Sequence, residues 1–209
     1  MMHAYDENLL YKAQITLANM LDTAVNTYGY DLKEFYLLFL NTDYCKRFER
    51  GESKVVAGMS GTELAYYIIS ENEDIDMKDY TFRVQRSVEY WIGWSISFYQ
   101  WYSGKKFKEI NEFANMDLFI SMYSKYHEMD IMHLVDFLDD KSKQFDTQRL
   151  KRLRVYAGLS QKELAENSGI PLRTIQQYEQ GQKDLSHARA DSVVRLARAL
   201  YCEVEDLII

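Results

Sequence analysis

Apolar residues recur every three or four positions along most of the chain, the rhythm of helices that each bury one face. Leu10, Ala13, Leu17, Met20, Leu21 and Ala24 keep that rhythm within residues 6 to 28, which predicts one long helix closed by Gly29. Asp31 stands as an N-cap before LKEFYLLFL, a second helix. A third begins at Ser60, where Glu63 follows at the spacing of a capping box ahead of LAYYII: the hydroxyl accepts from the Glu63 amide and the carboxylate returns to the Ser60 amide. In EYWIGWSISFYQWYSG, Trp91, Trp94, Phe98 and Trp101 or Tyr102 repeat at helical spacing. Such a stripe is expected to be core, the alternative being a helix presented to a protein partner. Short helices are expected over residues 107 to 114 and 117 to 125, and a longer one from Ile131 toward Lys143.

After the polar segment DDKSKQFDTQ, Asp139 to Gln148, the elements become shorter and basic. Leu150, Leu153 and Ala157 make the apolar stripe of a helix whose other faces carry Arg149, Lys151, Arg152 and Arg154, and Gly158 closes it. Ser160 and Glu163 form a second capping box before QKELAEN. Gly169 supplies the left-handed residue of a tight turn, and Pro171 fixes φ at the start of LRTIQQYEQ. Two short helices joined by a tight turn, with the small Ala165 facing their crossing and Leu164, Ile170, Ile175 and Tyr178 as apolar faces, make a helix-turn-helix unit. Gly181 ends its second helix. A fourth helix carries Val193, Leu196, Ala197 and Leu200, and a last turn after Cys202 closes with Val204 and Leu207.

Composition divides the chain at the same place. With 209 residues, one Pro and nine Gly, it is long enough for two helical domains and poor in the turn residues an all-β chain needs. Residues 147 to 198 hold ten Lys and Arg against five Asp and Glu, a charge of +5, whereas residues 1 to 146 hold fifteen against twenty-four, a charge of -9. Of the thirty aromatic residues only Tyr156, Tyr178 and Tyr201 fall after residue 146. The expected organisation is all-α: an acidic, aromatic-rich helical domain over residues 1–146, for partner binding or dimerisation, and a basic helical domain over residues 147–209. The longest charge-free stretch, Tyr90 to Gly104, is too short for a membrane span, so no membrane association is expected. MMHAYDENLLYKAQ lacks the features of a secretory signal, and Cys45 and Cys202 alone make no disulfide framework; a cytoplasmic location is the expectation.

Catalytic chemistry finds little support. His127, Glu128 and His133 lack the four-residue histidine spacing of a zinc-protease helix. Gly58, Met59, Ser60 and Gly61 approximate a nucleophile elbow, but Thr62 stands where its second Gly belongs, and capping explains Ser60 better. There is no Gly-rich phosphate loop and no CxxC. The chain is therefore expected to be no enzyme and to need no metal or cofactor.

LRVYAGLSQKELAENSGIPLRTIQQYEQG followed by LARALYCEVEDL resembles the phage-repressor-like helix-turn-helix family, of the Xre and Cro type, over residues 147 to 208. Arg154, Gly158, Leu159, Ser160, Gln161, Leu164, Ala165, Gly169, Ile175, Glu179 and Gly181 stand at that family's spacing; Pro171 departs from its more frequent Ser or Thr cap and removes one N–H. The resemblance implies a five-helix lambda-repressor-like DNA-binding domain whose reading helix runs from Leu172 to Gln180.

On that helix the exposed face offers Leu172, Arg173, Gln176 and Gln177: Arg suits guanine O6 and N7, Gln suits adenine N6 and N7, and Leu suits a thymine methyl. By resemblance Arg173 and Gln177 sit where relatives read bases, with Leu172 and Thr174 close by. Gln161, at the start of the preceding helix, is the family's usual phosphate clamp, with Arg152, Gln180 and Lys183 as further backbone contacts. Arg154 and Glu179 sit where relatives place an ion pair. The expected partner is double-stranded DNA bearing a palindromic operator, bound by a homodimer whose interface comes from the first domain or from the C-terminal EVEDLII.

DLKEFYLLFLNTDYCKRFERG, SGTELAYYI and YWIGWSISFYQWYSGKKFKEI are similar to the N-terminal regions of bacterial helix-turn-helix antitoxins encoded beside small toxins. That resemblance implies an autoregulating antitoxin whose residues 1–146 bind a toxin. The alternative is a ligand-sensing or phage-type repressor without a toxin.

Overall fold

The structure is a computed structural model that describes residues 3–78 and 86–208. Among the described residues every regular element is a helix or a helical turn. The chain divides into two compact units, Met1–Leu138 and Asp139–Ile209.

The first unit is built around α1, Leu10–Asn26, whose Ala13, Leu17, Ala18, Met20, Leu21 and Ala24 are wholly buried. The predicted helix from residue 6 begins instead as a separate turn, Glu7–Leu9, capped by the Asp6 carboxylate. Asp31 caps α2, Leu32–Leu40, by accepting from the Lys33 and Glu34 amides. Two helices that the apolar rhythm does not predict follow: α3, Asp43–Glu49, and α4, Ser53–Val56. Each buries only two residues, Cys45 and Phe48 in α3 and Val55 and Val56 in α4, so neither is long enough to show a period. The Ser60–Glu63 capping box starts α5, Gly61–Ser70. Next come α6, Val88–Ser103, α7, Phe107–Phe113, and α8, Met116–Tyr126.

The aromatic stripe expected to be core is not the buried face of α6. Ile92, Ile96 and Tyr99 are fully buried, while Trp91, Trp94, Phe98 and Tyr102 lie half-buried along the flank. Of the stripe only Trp101 is interior, its indole N–H donating to the Tyr5 carbonyl at 2.8 Å. The cause is the closeness of α1 and α6. A Cβ on Gly93 would fall 2.6 Å from the Leu17 carbonyl oxygen, so the backbones meet over Gly93, and the bulky rings are displaced sideways. Ser87 fixes the start of α6: its hydroxyl accepts from the Tyr90 amide and donates to Asp22 of α1 at 2.5 Å.

A long helix, α9, Ile131–Tyr156, continues through the polar segment at residues 139–148, and the division between units falls inside it. Then come α10, Gln161–Ser168, α11, Leu172–Glu179, and α12, Ala190–Leu200. The fifth helix is a single 3-10 turn, Val204–Asp206, and another, Leu185–His187, lies between α11 and α12. Leu150, Leu164, Ile170, Ile175, Val193, Leu196, Ala197, Leu200 and Leu207 form one small core.

The Ser160 box yields a first prediction. Hydrogen bonds from Ser160, first its backbone N–H and then its hydroxyl, lower the pKa of Glu163. A carboxyl depressed by folding adds stability that is present above its unfolded pKa and lost as pH falls through its folded one. Glu163→Gln is expected to flatten that part of the acid limb of a melting profile, whereas Ser160→Ala costs about 1 kcal/mol at neutral pH; an acid limb identical to that of the wild type refutes the linkage.

Candidate nucleic-acid interface

Sequence dictates which side of α11 is free. Ile175 is wholly buried and Glu179, 8% exposed, lies one turn on, so the helix is pinned along that line. The rest of the helix turns outward: Leu172 and Arg173 are exposed, and Thr174, Gln176 and Gln177 are half-buried. Gly169 makes the turn before it with φ +65°. Pro171 is the N-cap and, having no capping side chain, leaves the first amides of α11 open; its carbonyl accepts from Thr174 at 2.8 Å.

Behind the helix lies an ionic cluster. Arg154 Nε donates to Glu179 Oε1 at 2.6 Å and Nη2 to Oε2 at 3.1 Å, a two-pronged pairing of side chains only 11% and 3% exposed. Arg154 Nη1 donates to the Leu159 carbonyl at 2.7 Å, so one guanidinium ties the end of α9 both to α11 and to the turn before α10. The hydrogen bond to Glu179 raises the Arg154 pKa further, which keeps the guanidinium charged. Nothing in residue spacing marks the Leu159 carbonyl as a partner, because any residue supplies one.

The residues assigned to the phosphate backbone are placed unevenly. Gln161, in the first turn of α10, is half-buried and spends one amide hydrogen on Glu179 Oε2 at 2.8 Å, while its Oε1 lies 3.5 Å from Gln176 Nε2. It bridges the two helices of the unit as well as facing outward. Arg152 is exposed, but its guanidinium lies 3.4 Å from the centre of the Phe145 ring and donates to the Phe145 carbonyl, which draws it along its own helix. Gln180 and Lys183 are exposed beyond the end of α11, and Gln180 Oε1 accepts from Gln182 at 3.0 Å.

Elsewhere, Ser60 and His127, singled out for chemistry, have structural partners. Ser60 caps α5. His127 stacks on Tyr123 at 4.5 Å. Cys45 and Cys202 are free thiols. Among the described residues no group of three His, Cys, Asp or Glu side chains is placed to hold a metal ion, and no helix is long and apolar enough to cross a membrane.

A helix with polar, outward side chains, held by a partner helix at a tight turn, is the arrangement that enters the DNA major groove. No curated protein and no solved structure matches the chain. A family described as a helix-turn-helix domain matches residues 147–207, so the second unit carries a helix-turn-helix domain, a DNA-binding module.

Proposed function

We propose that the chain is a sequence-specific transcriptional regulator that binds a palindromic operator as a homodimer, and that it is the autoregulating antitoxin of a toxin–antitoxin pair, without catalysis or cofactor of its own. The observation that carries the DNA reading is the outward face of α11, with Leu172, Arg173, Thr174, Gln176 and Gln177 presented from a helix locked by Arg154 and Glu179. One such domain buries little surface on DNA, so two copies on half-sites about one helical turn apart supply operator affinity. Among the dimer candidates, Leu207 is buried in the core of its own unit and Ile208 is half-buried, which leaves little of that tail for a partner; Ile209 lies outside the described residues.

Arg173→Ala is expected to cost about 1 to 3 kcal/mol of operator affinity and to relax preference at one base pair, while Gln161→Ala weakens binding to all duplexes alike. Binding titrations against a panel of singly altered operators separate the two; identical losses on every duplex from both substitutions refute these roles.

The antitoxin reading rests on the N-terminal resemblance and on the ridge of half-buried rings along α6, where Trp94, Phe98 and Tyr102 stack in sequence. Growth arrest by the neighbouring gene product alone, relieved by this chain in a complex that co-purifies, is the expected result. A harmless neighbour that does not bind overturns it. A half-open cavity of about 380 Å³, bordered by Arg86, Trp91, Trp94, Tyr123 and His127, favours the second reading, a ligand-sensing repressor.

A further inference from the structure

The first unit is acidic overall, yet five of its cations converge on one depression. Lys46 lies on α3 and Arg50, one turn on, is its C-cap; Lys105 and Lys106 follow the end of α6, and Lys108 lies in the first turn of α7; all five line a half-open cavity of about 390 Å³. Among the described residues Lys46, Arg50 and Lys105 have no carboxylate within ion-pair distance. Lys106 has only Glu109, 3.9 Å away, and Lys108 donates to the neutral Asn41 side chain. Five like charges against the single lining carboxylate of Glu49 leave an excess of positive charge whose mutual repulsion a bound anion relieves.

The floor has the opposite character. Glu49 Oε1 accepts from the Phe107 amide at 2.7 Å and from the Cys45 thiol at 3.7 Å, which fixes the carboxylate toward α7. Burial, with Glu49 beside it, pushes the Cys45 pKa up and keeps the thiol neutral. Gln100, 1% exposed, lines the same cavity; its Nε2 donates to the Glu49 carbonyl at 3.4 Å, which sets the orientation of the carboxamide, and its Oε1 has no partner. A buried acceptor left without a donor is a cost that a ligand bearing an O–H or N–H removes.

We propose that this cavity binds a small phosphomonoester that carries hydroxyl groups, its phosphate held among Lys46, Arg50, Lys105, Lys106 and Lys108 and a hydroxyl donating to Gln100 Oε1. Inorganic phosphate, although its own P–OH can donate, is one compact group that must serve both the cations and Gln100; a neutral sugar leaves the cations unsatisfied. The volume is that of a small-molecule site. Nothing in this assignment depends on DNA or on a toxin, so it stands or falls apart from them.

Isothermal titration of the full chain with ribose 5-phosphate, inorganic phosphate and ribose tests it. Ribose 5-phosphate is expected to bind saturably and more weakly as salt rises, inorganic phosphate about tenfold less tightly, and ribose not at all. Lys46→Glu combined with Lys108→Glu is expected to lower the affinity at least tenfold with the melting curve intact, on the order of two charge-assisted contacts. Lys12→Glu with Lys125→Glu, outside the cavity, leaves it unchanged. Gln100→Met removes the preference for the sugar phosphate over phosphate; if that variant melts early, the lysine pair alone decides. The proposal is overturned by absence of saturation at about 5 mM ribose 5-phosphate, by an equal loss in the control pair, or by a lysine pair that changes affinity for duplex DNA alone.

Discussion

Arg154→Ala is expected to destabilise the helix-turn-helix unit by about 3 to 5 kcal/mol and to abolish DNA binding with it. The Glu179 side chain, 3% exposed, would keep only Gln161 as a side-chain donor, and a buried charge stripped of its partner costs far more than an exposed pair ever returns. The Leu159 carbonyl would lose its donor in the same step, so the turn before α10 and the position of α11 loosen together. Hydrogen exchange of the α11 amides in the full chain measures this directly. Arg154→Lys keeps the charge but not the planar fork that serves two helices and a turn at once, and is expected to fall between wild type and Ala. Protection reduced by less than about 1 kcal/mol in the Ala variant would mean that the pair behaves as a solvent-exposed one.

The second large effect is expected in the first unit, where Gly93→Val costs about 3 kcal/mol or more by overpacking. The first added carbon would lie 2.6 Å from the Leu17 carbonyl oxygen, 2.7 Å from Ala18 Cα and 2.9 Å from Ala18 N. All three are backbone atoms of the central helix, which cannot swing aside as the tip of a side chain does. Gly93→Ala is expected to destabilise as well, although Ala gains about 1 kcal/mol in helix propensity over Gly. The readout is clean because all three tryptophans, Trp91, Trp94 and Trp101, lie on α6. Tryptophan fluorescence during urea unfolding therefore reports the first unit without the second. An unshifted midpoint for the Val variant would rule out the close approach of α1 and α6.

Where a boundary is written in local chemistry, it was legible. The capping boxes at Ser60 and Ser160, the Asp31 cap and the turn at Gly169 each depend on two or three neighbouring residues, and each stands in the structure where the chain shows it. Short helices without a period, α3 and α4, were not legible, since their existence rests on Cys45, Phe48, Val55 and Val56 meeting a core assembled from distant segments. The buried face of α6 escapes the spacing rule for a related reason. Size points to the tryptophans, but Gly93, which has no side chain, decides where α1 can approach. At the candidate DNA interface the side chains and their exposure follow from helical phase, whereas the inward turn of Gln161 onto Glu179 and the hold of Phe145 on Arg152 depend on three-dimensional neighbours. The basic cavity carries no sequence signature at all, because Lys46 and Arg50 are brought to Lys105, Lys106 and Lys108 only by folding.

The division of labour around α11 bears on how such a protein diversifies. Ile175 and Glu179 anchor the helix from one side, and Leu172, Arg173 and Gln177 occupy the other without entering the core. Substitutions on the outer side can thus accumulate at little thermodynamic expense. A descendant of this chain can acquire a new outer face on α11 by a few changes there while its scaffold is inherited intact.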